Sequence, residues 1–581
     1  MTTHFVKASQ LTATVTGTLF ASATALAPIT VANGAAVSTA VNFAVGPTIA
    51  TLSPALAPAG SAPFTITVTG TNFASGSVVT WGVTPLTTTY VSATQLTAAV
   101  TSTQLGTGGT PAITVTNGSE LATSPSGTTF AVNAPTIASG GLSAISALAG
   151  STGFPLTVTG TNFVTGTNAS VAMWGATPLA TVVNSASQLT ATVTTALLAT
   201  TVGSPIGVTV ANGSATPASN APTFTVSGPA ITMMYPTSAA AGGAAFTLTV
   251  AGSNFNSSSV VMWGLIPLTT TYVSSAQITG AVTNPELALA GAQTITVQNG
   301  SATATSGSST FTVGLPTLTG LGANSAAAGT TSLTLNVFGT NFVTGGTAAS
   351  KVYWGATGLT TTYVSATQLS VTLTSQLATT VGSPISVTVQ NGVVANASGS
   401  LSFTVSDPVI SLLGPVSTDP AGTAGFTLTV TGTNFVPGVS IVYWNSTALT
   451  TVLSTTSTVI TATVTTPELA LAGTPSVTVQ NGSASLASNT STFTVTPTVT
   501  GLSQTSASAG APTFTLTVTG VGYVPGAVVY FGGVAMSTIY VGSTSLMATI
   551  PTGDITVGTP SVTVHVGSAI SAAGITFTIT P

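Results

Sequence analysis

The chain has 581 residues, of which 2 are Lys or Arg, 6 are Asp or Glu, 2 are His and none is Cys. Charged residues make up 1% of it, against roughly a quarter in ordinary globular proteins. This composition excludes paired acid–base catalysis, clustered metal ligands, disulfides and basic nucleic-acid surfaces within any one domain. The net charge of −4 is too small to steer a partner strongly.

The first 45 residues match the second half of a later repeat. The segment from Phe5 to Val15 aligns with Tyr90 to Val100, so Met1 aligns with Leu86. Lys7 and the Ala-rich stretch after it also suggest a secretion signal, but the half-domain interpretation is favoured. Two explanations of a half domain remain open. The chain is a fragment of a longer array, which we favour, or a neighbouring subunit completes the half domain by strand addition.

Short alternating runs follow in every repeat. In residues 46–133 the runs with turn signals between them are Thr48–Leu52, Phe64–Thr69, Val78–Trp81, Leu86–Val91, Leu96–Thr101, Ala112–Thr116 and Thr128–Val132. Period-two alternation of Thr with apolar residues is typical of strands that bury one face. No apolar run approaches the roughly 20 residues of a membrane-spanning helix, so we expect no span in this chain.

Three landmarks recur along the chain. A Gly-Thr-Asn-Phe turn begins at Gly70, Gly160, Gly339 and Gly432, with variants at Gly252 and Gly520. An aromatic residue follows on the next strand: Trp81, Trp174, Trp263, Trp354, Trp444 and then Phe531. An Asn-Gly pair closes a later strand at Asn33, Asn117, Asn212, Asn299, Asn391 and Asn481.

These landmarks divide the chain into repeats that each open with a Pro. We predict a partial domain at residues 1–45 and six complete domains, numbered 1 to 6, at residues 46–133, 134–228, 229–314, 315–406, 407–496 and 497–581. About seven strands in about 90 residues predict an immunoglobulin-like β-sandwich, so the fold class is all-β. One short helical turn is expected at Pro285–Ala290 and at Pro467–Ala472, because Pro and Glu favour a first helical turn.

Longer segments repeat at a spacing of two domains. Domains 2 and 4 share the sequence at Leu198–Ile206 and Leu377–Ile385, and domains 3 and 5 share Pro285–Gly291 and Pro467–Gly473. Duplication of a two-domain segment explains this pattern. An alternation of domain contacts along a fibre is the other interpretation.

The order of these motifs resembles the IPT/TIG class of immunoglobulin-like domains. The motifs are the Pro-led strand, Ala-Gly, Gly-Thr-Asn-Phe, the aromatic strand, Val-Thr-Val-x-Asn-Gly and a closing Thr-Phe-Thr-Val. The resemblance implies a spacer or adhesive module of bacterial surface proteins, an accessory module of carbohydrate-active enzymes, or a domain of animal receptors and transcription factors. The basic DNA-contacting residues of that last group have no counterparts here.

Candidate site residues are few. The tryptophans Trp81, Trp174, Trp263, Trp354 and Trp444 are expected to pack in or near the core, with a sugar-stacking platform as the alternative, and the same applies to Tyr90, Tyr272, Tyr363 and Tyr540. Asn117, Asn212, Asn299 and Asn481 are candidate glycosylation sites, although turn formation alone explains their Asn-Gly pairs. Glu286 and Glu468 are expected to cap helical turns. Asp407 and Asp419 are too few for a calcium site.

The sequence therefore predicts an extracellular, non-catalytic structural protein without cofactors, a rod-like subunit of a bacterial surface fibre or filament. The expected partners are copies of the same chain, in lateral or end-to-end packing, and surface glycans. An adhesin, a carbohydrate-binding array and the spacer region of a larger secreted protein are the alternatives.

Overall fold

A computed structural model describes residues 1–16, 19, 26–117, 124, 128–200, 203, 205–302, 305–378, 383–452, 456–483 and 486–581. Glu120 and parts of the shared segments at Leu198–Ile206 and Leu377–Ile385 lie outside these residues. Contacts divide the chain into two compact units. The first is Met1–Thr237 with Phe246–Val282 and Gln293–Phe311, and the second is Ser238–Ala245 with Thr283–Ala292 and Thr312–Pro581.

The longer strands of domains 1 and 2 alternate buried apolar residues with Thr and Ser, whereas the first two strands of the partial domain are exposed throughout. The partial domain has β1 (Thr2–Lys7), β2 (Gln10–Thr14), β3 (Leu26–Ile29), β4 (Ala32–Asn33), β5 (Ala36–Val37) and β6 (Val41–Ala44). Domain 1 has β7 (Thr48–Ser53), β8 (Leu56–Pro58), β9 (Phe64–Thr71), β10 (Ser77–Trp81), β11 (Thr84–Pro85), β12 (Thr88–Ser92), β13 (Gln95–Val100), β14 (Ile113–Asn117) and β15 (Ala131–Asn133). Domain 2 has β16 (Thr136–Leu142), β17 (Ser146–Leu148), β18 (Phe154–Thr161), β19 (Ser170–Trp174), β20 (Thr177–Pro178), β21 (Ala180–Ser185), β22 (Gln188–Val193), β23 (Ile206–Asn212), β24 (Thr223–Ser227) and an α-helix at Thr195–Thr200.

Domains 3 and 4 repeat this order. Domain 3 has β25 (Ala230–Tyr235), β26 (Ser238–Ala240), β27 (Phe246–Ser253), β28 (Ser259–Trp263), β29 (Ile266–Pro267), β30 (Thr269–Ser274), β31 (Gln277–Val282), β32 (Gly291–Asn299) and β33 (Ser309–Gly314). Domain 4 has β34 (Thr317–Leu321), β35 (Ser325–Ala327), β36 (Leu333–Thr340), β37 (Ser350–Trp354), β38 (Thr357–Gly358), β39 (Thr361–Ser365), β40 (Gln368–Leu373), β41 (Ile385–Asn391) and β42 (Leu401–Ser406), with 3-10 turns at Gly346–Ala348, Ser375–Leu377 and Val394–Asn396.

The last two domains complete the series. Domain 5 has β43 (Val409–Gly414), β44 (Thr418–Pro420), β45 (Phe426–Thr433), β46 (Ser440–Trp444), β47 (Thr447–Ala448), β48 (Thr450–Val452), β49 (Val459–Val464), β50 (Ser476–Asn481), β51 (Ser491–Thr492), β52 (Thr494–Thr496) and a 3-10 turn at Thr466–Leu469. Domain 6 has β53 (Thr498–Leu502), β54 (Ser506–Ser508), β55 (Phe514–Val521), β56 (Val528–Phe531), β57 (Val534–Ala535), β58 (Ser537–Gly542), β59 (Ser545–Ile550), β60 (Ser561–Val566), β61 (Ala569–Ile570), β62 (Ile575–Thr576), β63 (Thr578–Thr580) and a 3-10 turn at Thr552–Asp554.

Domain 2 shows the topology most fully. One sheet has the order β16-β18-β22-β21 and the other the order β17-β24-β23-β19-β20. The start of the domain contributes to both sheets, because β16 lies in the first sheet and the next strand, β17, pairs in parallel with the closing strand β24 in the second. Four antiparallel strands facing a second sheet that is antiparallel except for the β17–β24 pair is the arrangement of an immunoglobulin-like sandwich, so the predicted fold is confirmed.

The core of each domain lies between the two sheets. In domain 2, Leu156 and Val158 of β18 are fully buried, and Trp174 packs on Phe224 with 4.9 Å between ring centroids. The same Trp–Phe pair recurs in domains 1, 3, 4 and 5 at 4.9, 5.0, 5.0 and 5.1 Å. These pairs make the recurrent tryptophans part of the hydrophobic core, where aromatic pairs favour tilted contacts at such distances.

The partial domain differs from the six others in the exposure of its apolar side chains. Leu11, Val31 and Phe43 are 44–47% exposed. Their counterparts in domain 1, by alignment of the repeats, are Leu96, Val115 and Phe130, and these are fully buried. In domain 1 the covering side chains come from β9 and β10, the first half of the repeat.

Candidate functional site: the asparagines at the domain junctions

The Asn of each Gly-Thr-Asn-Phe turn binds the linker between domains. Asn72, Asn162, Asn254, Asn341 and Asn434 have φ between 61° and 63°, a left-handed conformation that Asn tolerates better than most residues. Their Nδ2 groups donate to the carbonyls of Gly46, Ala134, Gly228, Leu315 and Asp407, at 3.2, 2.9, 2.9, 2.8 and 2.9 Å. Each of these carbonyls directly precedes the Pro that opens a domain. The turn therefore fixes the start of its own domain.

The Gly of the same turn is required by close packing. A Cβ on Gly70 would lie 1.8 Å from the Thr48 carbonyl oxygen and 2.6 Å from Cζ of Phe73. The equivalent glycines of the other domains meet the same obstacles. The motif thus combines a position without side chain, a left-handed Asn and a buried Phe.

The Asn of each Asn-Gly pair is buried at the end of a core strand. Asn117, Asn212, Asn299, Asn391 and Asn481 are at most 8% exposed. The Oδ1 atom of each accepts a hydrogen bond of 2.5–2.6 Å from a buried serine on the neighbouring strand, namely Ser77, Ser170, Ser259, Ser350 and Ser440 in the same order. Their Nδ2 groups donate at 2.7–2.9 Å to the backbone carbonyls of the left-handed asparagines described above.

Three of these asparagines also join two domains. Nδ2 of Asn212 donates to the carbonyl of Ala59 in domain 1 at 2.8 Å. Nδ2 of Asn391 reaches the carbonyl of Ala241 in domain 3 at 2.9 Å, and Nδ2 of Asn481 that of Ala328 in domain 4 at 2.8 Å. A single amide therefore uses its oxygen within the domain and its nitrogen on both sides of the junction. Because buried polar groups are costly when unpaired, this arrangement favours one domain geometry.

Each junction adds contacts of its own. Asn168 donates to the carbonyl of Gly60 at 3.1 Å, and Asn256 to that of Ala149 at 3.3 Å. Asn396, which is 1% exposed, donates to the carbonyl of Ala288 and accepts from the backbone N–H of Ala290 at 3.0 Å. In domain 1 the loop residue Gly108 donates to the carbonyl of Thr216 in domain 2 at 2.6 Å.

Apolar packing also crosses the junctions. Ala215 of domain 2 belongs to the core of domain 1, and Ala302 of domain 3 belongs to that of domain 2. Ala472 of domain 5 belongs to the core of domain 6, while Val521 of domain 6 packs against the core of domain 5. Neighbouring domains therefore bury apolar surface against each other. This burial stabilises the junctions in addition to the hydrogen bonds.

Domain 6 replaces the polar pair with apolar residues. Ala527 and Val566 stand where domains 1–5 have the Ser and Asn pair, and Gly522 stands in place of the left-handed Asn. The contact with domain 5 is now made by backbone groups, since the N–H of Ala472 donates to the carbonyl of Gly522 at 2.8 Å. Replacing both partners of a hydrogen bond by apolar groups avoids leaving one of them unpaired.

The two predicted helical turns differ in form, and the expected role of their glutamates is confirmed. Thr466–Leu469 is a 3-10 turn with a capping box. The Thr465 side chain accepts from the backbone N–H of Glu468, and the Glu468 carboxylate accepts from the backbone N–H of Thr465 at 2.9 Å. Residues 285–289 form a turn and a bend, and Glu286 makes the same bond as Glu468, since its Oε2 accepts from the Thr283 N–H at 2.9 Å. Slight burial raises the pKa of each glutamate, but the hydrogen bonds from the threonines outweigh it, so both pKa values lie below the ordinary value of 4.5. The α-helix at Thr195–Thr200 was not predicted.

The sequence-predicted site residues do not form one site. Trp81, Trp174, Trp263 and Trp444 are 3–7% exposed and Trp354 is half-buried. Tyr90, Tyr272 and Tyr363 are 37–41% exposed on sheet-edge strands, and Tyr540 is half-buried. Within the described part of the chain, no three His, Asp or Glu residues lie close enough to bind a metal ion.

The candidate glycosylation residues Asn117, Asn212, Asn299 and Asn481 are buried, and their Nδ2 groups are hydrogen-bond donors. A glycan is attached through this nitrogen, so attachment would require these bonds to break. In the folded domains the four residues serve packing and junction contacts. Their burial depends on pairing with a serine some 40 residues away, which the local Asn-Gly signal does not contain.

No helix among the described residues has the length and apolar character needed to cross a membrane. No curated protein sequence matches the chain. Among solved structures, the chain is similar to the plexin A4 extracellular region, with 12% identity, coverage of 90% of this chain and 55% of that chain, and a TM-score of 0.18. The chain thus spans about half the length of that protein.

Two further solved structures are similar to the chain. The N-terminal eight Ig domains of Down Syndrome Cell Adhesion Molecule have 11% identity, with 94% of this chain and 76% of that chain covered and a TM-score of 0.17. The protein SGBP-B of Bacteroides ovatus, in complex with a mixed-linkage heptasaccharide, has 16% identity, with 58% and 94% covered and a TM-score of 0.17.

The family comparison is specific. The model of the IPT/TIG domain matches residues 47–132, 229–313, 408–495 and 497–579, which together are more than half of the chain. These ranges fall within domains 1, 3, 5 and 6, and domains 2 and 4 have the same two sheets, in the same strand order, as domain 3. The chain belongs to the IPT/TIG domain family, as a tandem series of its immunoglobulin-like domains.

Proposed function

We propose that this chain is a non-catalytic, extracellular structural protein, a rod-like repeat subunit of a bacterial surface fibre or filament. Tandem IPT/TIG domains are typical of extracellular or cell-surface proteins with structural or binding roles, and they are typically non-catalytic. The near absence of titratable side chains supports a role that depends on shape instead of chemistry.

The observation that carries the proposal is the buried Asn at the domain junctions. Asn212, Asn391 and Asn481 each bond their own domain and the domain before it through one side chain. The linkers are short, and their carbonyls are bound by the left-handed asparagines. Junctions of this kind restrict bending, whereas unbonded Gly/Ser linkers would allow it. A stiff unit is what a fibre requires of its subunit.

Association with further copies of the chain is part of the proposal. With 1% charged residues, neighbouring copies repel one another weakly, and lateral packing costs little electrostatic energy.

Electron microscopy of native material at the cell surface tests the assembly. The proposal predicts regular fibres with an axial repeat of one or two domains, labelled by antibodies against this chain on intact cells. Isolated, unassembled molecules on the surface would contradict a fibre subunit. Labelling only after the cells are opened would contradict the extracellular location.

A second candidate is a binding array for surface glycans. Tyr90, Tyr272 and Tyr363 are exposed at equivalent strand positions in domains 1, 3 and 4, so three copies of one aromatic surface recur along the chain. Exposed aromatic rings offer apolar faces with a polar tip to a ligand. A glycan array compares the unaltered chain with the variant Tyr90→Ser/Tyr272→Ser/Tyr363→Ser. Binding that is lost in the variant would favour this candidate. Equal binding by both chains would show that these tyrosines do not bind the glycan.

A further inference from the structure

The structure separates one glycosylation sequence from all the others. The pattern Asn-x-Ser/Thr occurs nine times, at Asn117, Asn168, Asn212, Asn256, Asn299, Asn396, Asn445, Asn481 and Asn489. In eight of them Nδ2 donates a hydrogen bond to a backbone carbonyl. Of the nine, Asn445 alone has an Nδ2 without a hydrogen bond to the described residues.

Asn445 lies in an exposed hairpin turn. The turn joins β46 to β47, and Asn445, Ser446 and Thr447 are all exposed. Asn445 and Ser446 have φ of 45° and 71°, as in the tight turns that connect two strands. The side chain is anchored by its oxygen alone, since Oδ1 accepts from the N–H of Ser476 at 2.8 Å. The nitrogen is left for a ligand.

Domain 5 is unusual at this position. The corresponding residues of the other five domains are Gly82, Gly175, Gly264, Gly355 and Gly532, all with positive φ. A Gly is the ordinary choice for such a turn. The fold therefore does not require the Asn-Ser-Thr sequence of domain 5, because five copies of the same turn form without it.

We propose that Asn445 is the acceptor of an N-linked glycan, donated by an oligosaccharide pyrophosphate lipid through a transferase. The Nδ2–C1 bond to the first sugar forms as the bond from C1 to the pyrophosphate oxygen breaks. The pyrophosphate lipid leaves with the electron pair, and Nδ2 loses one proton to a base of the transferase. The glycan would hydrate a surface that has few charges. This inference rests on the extracellular location in the proposed function.

The test uses the folded full-length chain with a purified oligosaccharyltransferase and a lipid-linked oligosaccharide, read by intact mass and peptide mapping. The expected result is one glycan per chain, on Asn445. Asn445→Gly, which restores the residue of the other five domains, abolishes the transfer. Thr447→Ala abolishes it and Thr447→Ser keeps it, while Asn489→Gln leaves it unchanged.

Urea-unfolded chain provides the control for enzyme and donor, because it exposes all nine sequences and is expected to take several glycans. Transfer to the unfolded chain with none on the folded chain would overturn the inference, and so would transfer to a buried Asn of the folded chain. The proposed function fails separately, since fibre formation is read by microscopy and does not depend on this reaction.

Discussion

At the scale of single residues, the side-chain amide of one Asn makes three hydrogen bonds, within its own domain and to the preceding domain. Asn481 accepts from Ser440 at 2.5 Å and donates to the carbonyls of Asn434 at 2.7 Å and Ala328 at 2.8 Å. All of these bonds are buried or half-buried, so a side chain of a different shape leaves polar groups without partners. The sequence context of Asn481 shows only a turn former and a glycosylation pattern, and neither includes these buried bonds.

The variant Asn481→Ala tests this role. It removes the acceptor of the Ser440 hydroxyl, whose oxygen still accepts from the Val436 N–H, and the Asn481 donor of two carbonyls, and each unpaired buried group costs about 1–3 kcal/mol. We expect domain 5 to lose about 3 kcal/mol of its free energy of unfolding, measured by urea denaturation. Hydrogen exchange near Ala328 should rise as well. The double variant Ser440→Ala/Asn481→Val, which copies Ala527 and Val566 of domain 6, should recover part of the loss. An unchanged stability in Asn481→Ala would contradict the assignment.

A second residue-scale prediction concerns the glycine of the recurring turn. In Gly70→Ala the new Cβ meets the Thr48 carbonyl oxygen at 1.8 Å, and backbone cannot move aside easily. We expect a loss of about 3 kcal/mol or more in the stability of domain 1, at the upper end for overpacking. The matched control is Gly109→Ala, where the added Cβ meets no atom within 4 Å. Thermal unfolding of both variants checks the difference, and equal melting temperatures would refute it.

At the scale of the elements, the capping box makes a short turn sensitive to acid. Slight burial raises the pKa of Glu468, but the bonds from Thr465 outweigh it and place the pKa below 4.5. A lowered pKa on folding stabilises the folded turn above the pKa of the unfolded carboxyl, and this stabilisation is lost as the pH falls through the folded value. The protection factors of residues 466–470, which correct for the slower intrinsic exchange in acid, should therefore fall below about pH 4.5. Glu468→Gln should remove that pH dependence, and a pH-dependent variant would contradict the cap.

Much of the element order could be predicted from periodicity. The seven strands expected in domain 1 are all present, with ends within about three residues of the predicted ones, and the largest difference is the start of the last strand, at Ala131 instead of Thr128. The short strands β8 and β11 were missed because three or two residues carry no period. The parallel pairing of β8 with β15 was missed too, since it joins residues far apart in sequence.

The junction contacts were outside the reach of sequence reasoning for a similar reason. The bond from Asn212 to Ala59 spans 153 positions, and a local motif does not record its distant partner. The tryptophans were expected to pack in or near the core, but their packing partners, such as Phe224 for Trp174, lie far away in sequence and could not be named. Asn445 and Asn212 share the Asn-x-Ser/Thr pattern. What distinguishes them is that Nδ2 of Asn212 donates a hydrogen bond whereas Asn445 is held by its Oδ1, and only the folded chain shows this difference.

At the scale of the whole molecule, the account predicts that stiffness comes from the junctions. Six domains of roughly 30–40 Å each would span about 200 Å if the junctions hold them end to end. At five junctions a left-handed Asn binds the linker carbonyl, and three of these junctions also have a bridging Asn. Loss of these bridging bonds should reduce the mean end-to-end length of the chain and widen the range of lengths that it adopts. The individual domains should stay folded.

Small-angle X-ray scattering of the isolated chain, beside the triple variant Asn212→Ser/Asn391→Ser/Asn481→Ser, measures this most directly. The account predicts a maximum dimension of roughly 200 Å and a rod-like profile for the unaltered chain. The variant should give a shorter, flexible profile, with its domains still folded by circular dichroism. A flexible or compact profile for the unaltered chain would contradict the claim that the junctions make a stiff rod.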